Sequence, residues 1–292
     1  MRRYILLPSG HADDQGSGAT LDHAKPHSAP ACSWGRQMSR LWRFLYLLRA
    51  LCGRDLKARY RKSLLGPAWA LIQPLVYMVV FTLLRRVVKV SSGGIPYPVF
   101  TFAALVPWTF FSNAVVFSAP SVILNAGIIK KISIPREVFP LSAVLTAMFD
   151  LLIAGLILAG MIAYYHIPVG WALLWLPVLV ALTAILALGV GMLLASFGTF
   201  KRDLVMAAPF LMQFWLFVSP ILYPLSQVPE KWHGLYMLNP TVGLIESFRC
   251  VLLHAQSPPL EPLAWSAVVT LAIIALTWPL FRWVSQYFAD VV

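Results

Sequence analysis

Long stretches without Asp, Glu, Lys or Arg divide the chain. Residues 63–84, 90–129, 204–229 and 262–281 are free of charge, and 138–200 is interrupted by Asp150 alone. A spanning helix needs about 20 mostly apolar residues to cross about 30 Å of hydrocarbon. The second stretch opens on Ser91, Ser92, Gly93, Gly94 and Pro96, so its spanning part lies nearer 99–122. The longest stretch holds two spans and divides at His166-Ile167-Pro168-Val169-Gly170, a turn-like cluster. The pattern predicts an all-α integral membrane protein with six transmembrane helices, at roughly 67–88, 99–122, 139–164, 171–198, 205–224 and 263–284. Between the last two, the 14 uncharged residues 232–245 are too few to span. They suit a re-entrant or interfacial helical hairpin, placed here within 229–256.

Residues 36–62 have a different pattern. At 100° per residue, Leu41, Phe44, Leu45, Leu48, Cys52 and Leu56 share one face, and Arg43, Arg54, Lys57 and Arg61 share the opposite one. Asp55 and Arg59 fall outside this scheme but stand i,i+4 and can pair. Such a helix, taken as 37–64, lies in the headgroup plane with its charges toward anionic lipid. The plainer reading is that its cations only set topology. Gly66-Pro67 ends it and opens the first span, where Pro lacks only an N–H that has no helical partner anyway. Residues 8–35 are rich in Ser, Gly, His, Pro and Asp, which predicts a disordered tail over 1–36. His11, His23 and His27 are read as tail histidines rather than as a metal site. Met1-Arg2-Arg3 is followed by only four residues before Pro8, too few for the apolar core of a signal peptide.

Composition agrees with the pattern. Of the 292 residues, 59% are hydrophobic and 12% charged, about half the charged share of a soluble domain. The net charge of +12 would suit nucleic acid, but twelve of the 23 Lys and Arg precede Ser63. With both termini in the cytoplasm, 18 basic residues fall inside and 5 outside, the bias that sets membrane orientation. The excess therefore serves topology and anionic partners, and nucleic acid is excluded. Cys32, Cys52 and Cys250 show no metal spacing and leave an odd count.

The missing motifs are informative. The chain has no Gly-Lys pair, hence no phosphate-binding loop, and no H-E-x-x-H, G-x-S-x-G or C-x-x-C. No enzymatic activity is expected. Uphill transport would draw on another chain or an ion gradient, and a single charged residue inside a span is thin provision for the latter. That residue, Asp150, either contacts a hydroxyl-rich substrate or hydrogen-bonds a neighbouring span. Small residues at four-residue spacing (Gly155, Ala159, Ala163; Ala187, Gly191, Ala195) permit close helix approach. Pro74, Pro107, Pro177, Pro209, Pro220 and Pro279 predict kinked or broken helices.

Two connections carry candidate chemistry. Residues 125–140 (NAGIIKKISIPREVFP) mix apolar with basic residues, as either a docking helix or an ordinary charged turn would. Residues 219–232 (SPILYPLSQVPEKW) lead into the short uncharged stretch containing Asn239-Pro240. Glu246 and Arg249 stand i,i+3 beyond it, making Asp150, Asn239, Glu246 and Arg249 the candidate gate and polar residues.

Five collinear segments carry a family likeness: 59–74 (RYRKSLLGPAWALIQP), 106–113 (VPWTFFSN), Lys130-Lys131 with Pro135-Arg136-Glu137, 219–224 (SPILYP), and Leu238-Asn239-Pro240 with Glu246-Ser247-Phe248-Arg249. Together they resemble the membrane subunit of type-2 ABC exporters over roughly 37–288. The chain looks most like the polysaccharide permeases that export O-antigen, and less closely like teichoic-acid and capsule exporters. The resemblance implies a 65–288 transmembrane domain that works as a homodimer with two copies of a separate ABC ATPase. ATP and Mg would sit on that partner, with no cofactor on this chain. It implies a coupling loop at 124–137, with Ile128, Lys130, Lys131, Pro135, Arg136 and Glu137 facing the ATPase, and an outer gate at 229–256. The substrate implied is a lipid-linked polysaccharide crossing a bacterial inner membrane. Aromatic rings suit the C–H faces of sugars, so Tyr77, Phe81, Trp108, Phe110, Phe111, Phe214, Trp215, Phe217 and Tyr223 are candidate path residues. Otherwise they mark headgroup belts and packing. Alternatives are the same architecture moving teichoic acid, capsule, lipid or drug, and, remotely, a membrane-embedded glycan-modifying enzyme.

Overall fold

A computed structural model of the chain describes residues 33–61, 66–88, 94–131 and 134–288. The expected tail lies outside the described residues except for its last four, which are helical. The chain divides after Arg40 into two units, and of the first only Ser33 to Arg40 is described, as the opening turns of α1. Eleven α-helices and no strand occur among the described residues. They are α1 (Ser33–Tyr60), α2 (Trp69–Val88), α3 (Tyr97–Ser118), α4 (Ser121–Leu124), α5 (Ala126–Ile129), α6 (Val138–Tyr164), α7 (Leu176–Gly198), α8 (Arg202–Val218), α9 (Glu230–Met237), α10 (Pro240–Leu253) and α11 (Leu260–Ser285).

The second unit is built around α3. This helix is apolar on every side, and such a helix is stable only where protein or lipid covers all of it. Here α2, α6, α7, α8 and α10 pack against it, and 17 of its 22 residues are buried. α11 lies against α7 and α10 and keeps most of its apolar surface facing outward.

Among the described residues, four helical segments are long and apolar enough to cross a membrane: Tyr97–Ser118, Val138–Tyr164, Trp171–Gly198 and Leu260–Ser285. The other two predicted spans are shorter than the charge pattern suggests. The apolar part of α2 ends at Arg85, giving 17 residues. α8 ends at Val218, not at 224, because Ser219 precedes Pro220 and takes an extended backbone with ψ 151°. Proline disfavours helical geometry in the residue before it. The count of six therefore rests on pattern rather than on six full-length helices.

α1 has a covered stripe. Leu48 and Leu51, with Phe44 and Cys52, pack on Ile128, Ile129, Ile134, Val138, Phe139 and Leu141. Hydrogen bonds run from 52 to 142 and from 59 to 150, so the second half of α1 follows the first half of α6 in parallel. Trp42, Leu45 and Tyr46 remain exposed.

The two small-residue stripes differ. On α7, Ala187 and Ala195 are buried, and a Cβ on Gly191 would stand 2.6 Å from Cβ of Ser118. α3 and α7 thus meet at near-backbone distance. On α6, a Cβ on Gly155 would meet nothing within 4 Å, and Ala159 and Ala163 are exposed. That stripe serves no contact within the described residues.

Candidate functional site

Three groups of predicted residues come together in different ways. The first is the connection after α3. Asn125 separates α4 from α5, its side-chain N–H donating 2.7 Å to the Ser121 carbonyl. Ile128 and Ile129 turn toward the α1–α6 cluster, which seats the loop, while Lys130, Lys131 and Pro135 stay exposed. Arg136 and Glu137 are half-buried. Arg282, near the end of α11, donates 2.8 Å to Glu137, tying the loop to a third element. A pocket of about 430 Å³ opens here, lined by Lys130, Lys131, Pro135, Arg136, Glu137 and Ser285 among others. The result is a basic face held on α1, α6 and α11, with a four-residue helix at its tip.

The second group centres on Asp150. Its carboxylate accepts 2.8 Å from Arg59 Nη1 and a second bond from the Tyr60 hydroxyl. The expected Asp55–Arg59 pair does not form. Asp55 takes Arg54 at 2.7 Å instead, and the Arg59 guanidinium lies 3.7 Å from the Phe117 ring centroid. The physical reason is relative solvation. Asp55 is partly exposed and stable without a tight partner, whereas the Asp150 side chain is only 7% exposed and needs a cation. A lone acid in an apolar run carried that signal, which points to a basic partner as well as to polar ones. Burial and the bond to Asp150 push the Tyr60 phenol up to about 12.

The third group surrounds the broken chain after α8. Arg249 is fully buried on α10 and sits 3.8 Å from Glu246, as the i,i+3 spacing suggested. Its shorter contacts are to backbone: Nη1 to the Pro220 carbonyl at 2.6 Å, Nη2 to Ile221 at 2.6 Å, and Nη1 to Tyr223 at 3.3 Å. These carbonyls belong to a segment without helical partners, and one guanidinium satisfies three of them. Phe100 of α3 lies beneath it at 3.9 Å. Asn239 caps α10, its oxygen accepting from Thr241 N–H and from Trp215 Nε1 at 2.9 Å. Glu246, Arg249 and Asn239 thus brace one region, while Asp150 belongs to the Arg59 site.

The nine aromatic candidates do not share one surface. Phe81, Trp108, Phe110 and Phe111 are buried in the core, and Phe214 is exposed. Tyr77, Trp215 and Tyr223 are half-buried, each with its polar end bonded: Tyr77 to Gln213 at 2.7 Å, Trp215 to Asn239, and Tyr223 to Tyr236 at 2.8 Å. Trp108, Phe111 and Trp215 form a row, with centroids 5.6 and 5.3 Å apart. Phe217, the ninth ring considered, is exposed on α8.

Residues 46–253 match the family described as ABC-2 type transporter. The O-antigen export system permease protein RfbA of Myxococcus xanthus is 32% identical over 260 residues, which cover 87% of this chain and 98% of that protein. RfbA of Klebsiella pneumoniae is 30% identical over 210 residues, 71% of this chain and 80% of that protein. The polysialic acid transport protein KpsM of Escherichia coli is 26% identical over 246 residues, with coverages of 80% and 92%.

Proposed function

The chain belongs to the ABC-2 type transporter family, and from that membership we propose that it is the membrane subunit of an ATP-driven exporter of lipid-linked, O-antigen-type polysaccharide. It is a multi-pass protein of a bacterial inner membrane with six spans, both termini in the cytoplasm, and 229–256 as a re-entrant outer gate. It acts as a homodimer with two ATPase subunits. ATP and Mg belong to those partners, since this sequence has no phosphate-binding loop of its own. One observation carries the reading: the likeness to an O-antigen export permease extends over 98% of that relative.

In this reading the parts have distinct work. Lys130 and Lys131 stand free on a loop whose base is held by α1, α6 and α11. Such a loop can transmit a push from an acidic cleft to three helices at once. α8 and the braced segment after it sit against α3, where a shift of the loop would be felt through packed side chains. Phe214 and Phe217 offer exposed rings to a sugar chain.

The test is genetic and biochemical. Deleting the gene should abolish surface polymer and leave it accumulating inside, with the wild-type gene restoring display. A Lys130→Glu/Lys131→Glu variant should insert normally but lower export at least tenfold while ATP hydrolysis continues. Unchanged surface polymer in the deletion strain would reject the export reading, and normal export by the variant would reject the coupling assignment. The similarity to KpsM favours a second reading, an acidic capsular polymer. Composition analysis of the polymer lost on deletion separates the two.

A further inference from the structure

Where α1 ends and α2 begins, an open pocket of about 460 Å³ is lined from four helices. Arg59 and Tyr60 contribute from α1, Trp69 and Gln73 from α2, Asn113 from α3 and Asp150 from α6. Their charges cancel locally. The Asp150 carboxylate accepts from both Arg59 and Tyr60, so the pocket offers a neutral, hydrogen-bonding wall rather than a free cation. Gln73 is exposed and Asn113 half-buried, and neither side chain has a hydrogen-bond partner among the described residues. Each amide can donate and accept. Trp69 lines the same pocket with 56% of its surface exposed.

Three kinds of ligand can be compared with this wall. An apolar tail would leave two amides without hydrogen bonds, a penalty it cannot recover. A phosphate or diphosphate wants unpaired cations, and here the guanidinium is already matched by a carboxylate that would repel the anion. A neutral sugar ring suits every element. Its C–H face covers an indole, and its hydroxyls both give and take hydrogen bonds.

The geometry points to a saccharide subsite in this pocket, with Trp69 as the stacking platform, Gln73 and Asn113 as hydroxyl partners, and the Arg59–Asp150 pair as its polar wall. This rests on the export reading above and deepens it. The site holds neutral sugars of the lipid-linked substrate, not its phosphate.

Saturation-transfer NMR on the full-length protein in detergent tests the assignment. The probe is a mixture of tri- to hexasaccharides released by mild acid from the polymer that the wild-type strain displays. Transfer from wild type is expected, reduced at least fivefold in Trp69→Ala and in Gln73→Ala, two exposed positions whose loss leaves the core intact. Millimolar inorganic pyrophosphate should leave the signal unchanged. No transfer from wild type, or equal transfer from both variants, overturns the subsite. Displacement by pyrophosphate overturns the neutral-sugar assignment and makes this a phosphate site. Surface polymer in the deletion strain carrying the wild-type gene is scored in parallel. Restored polymer with a failed NMR result rejects the subsite alone, whereas polymer display independent of the gene rejects the export reading beneath it.

Discussion

Asp150 shows how much one residue organises when water is scarce. Its partners come from α1, so a single carboxylate anchors an amphipathic helix to α6, and the Arg59 side chain bridges on to Phe117 of α3. Removing one half of such a pair leaves the other charge buried without compensation, which costs about 3 kcal/mol, whereas replacing both by apolar groups is often near neutral. Asp150→Ala should therefore lower stability in detergent by about 3 kcal/mol, while Arg59→Met/Asp150→Leu should recover most of that loss. Urea titration of the purified variants decides it. A double variant no more stable than the single one would mean that the pair is not what holds α1. The Tyr60 bond adds a pH term of known sign. With its phenol raised to about 12, its contribution is complete below the ordinary tyrosine pKa of about 10 and is lost as pH climbs from there to 12. It is constant across the physiological range. Asp150 was legible as an oddity from the charge pattern. Its partner was not, because Arg59 lies 91 positions away and has a nearer acid at i−4.

Helix contacts in this chain depend on where backbones nearly touch. A Cβ on Gly243 of α10 would fall 2.0 Å from the Pro262 carbonyl oxygen and 2.4 Å from its carbon, both backbone atoms of α11. Neither can swing aside as a flexible side chain would, so the helices must part. Gly243→Ala is expected to destabilise by about 2 kcal/mol, as overpacking of a well-packed core does. Gly155→Ala, with nothing nearby, should be neutral or slightly stabilising through helix propensity, by up to about 1 kcal/mol. Melting curves of the two variants measured side by side check the contrast, and equal shifts would refute it. Spacing alone picked out the stripe through Gly155 and the stripe through Gly191 alike, and overlooked Gly243. Periodicity tells which residues share a face, but not which face has a neighbour. The α8 boundary has the same cause in reverse. The uncharged run continued to 229, yet the Ser219-Pro220 step broke the helix, and the freed carbonyls were taken up by Arg249 from α10.

At the scale of the whole molecule, orientation follows from charge. The 18-to-5 distribution of Lys and Arg predicts a cytoplasmic position for both termini and for the 199–202 and 130–137 connections. In a background lacking Cys32, Cys52 and Cys250, a membrane-impermeant maleimide should label Val169→Cys in intact cells and Arg202→Cys only after permeabilisation. Both positions are exposed in the fold, so the reverse pattern would sink the topology rather than report burial. In that predicted orientation the basic loop, the second half of α1 and the end of α11, which are tied together in the fold, would face the proposed ATPase partner.

By itself, the sequence determined that this is a helical membrane protein, located the four long apolar helices to within a few residues, biased Lys and Arg toward one set of connections, and, through five collinear segments, carried its transporter family. Those properties are local or cumulative: length of apolar runs, sign of nearby charges, order of motifs. Only the tertiary structure decided that Asp150 holds α1, that Arg249 serves stranded carbonyls more than Glu246, that four of the nine candidate aromatics are buried core, and that amides from two helices face one pocket. These facts depend on residues tens of positions apart being brought within hydrogen-bonding distance. A buried charge or carbonyl takes whichever partner the packing delivers, because in the absence of water it must have one.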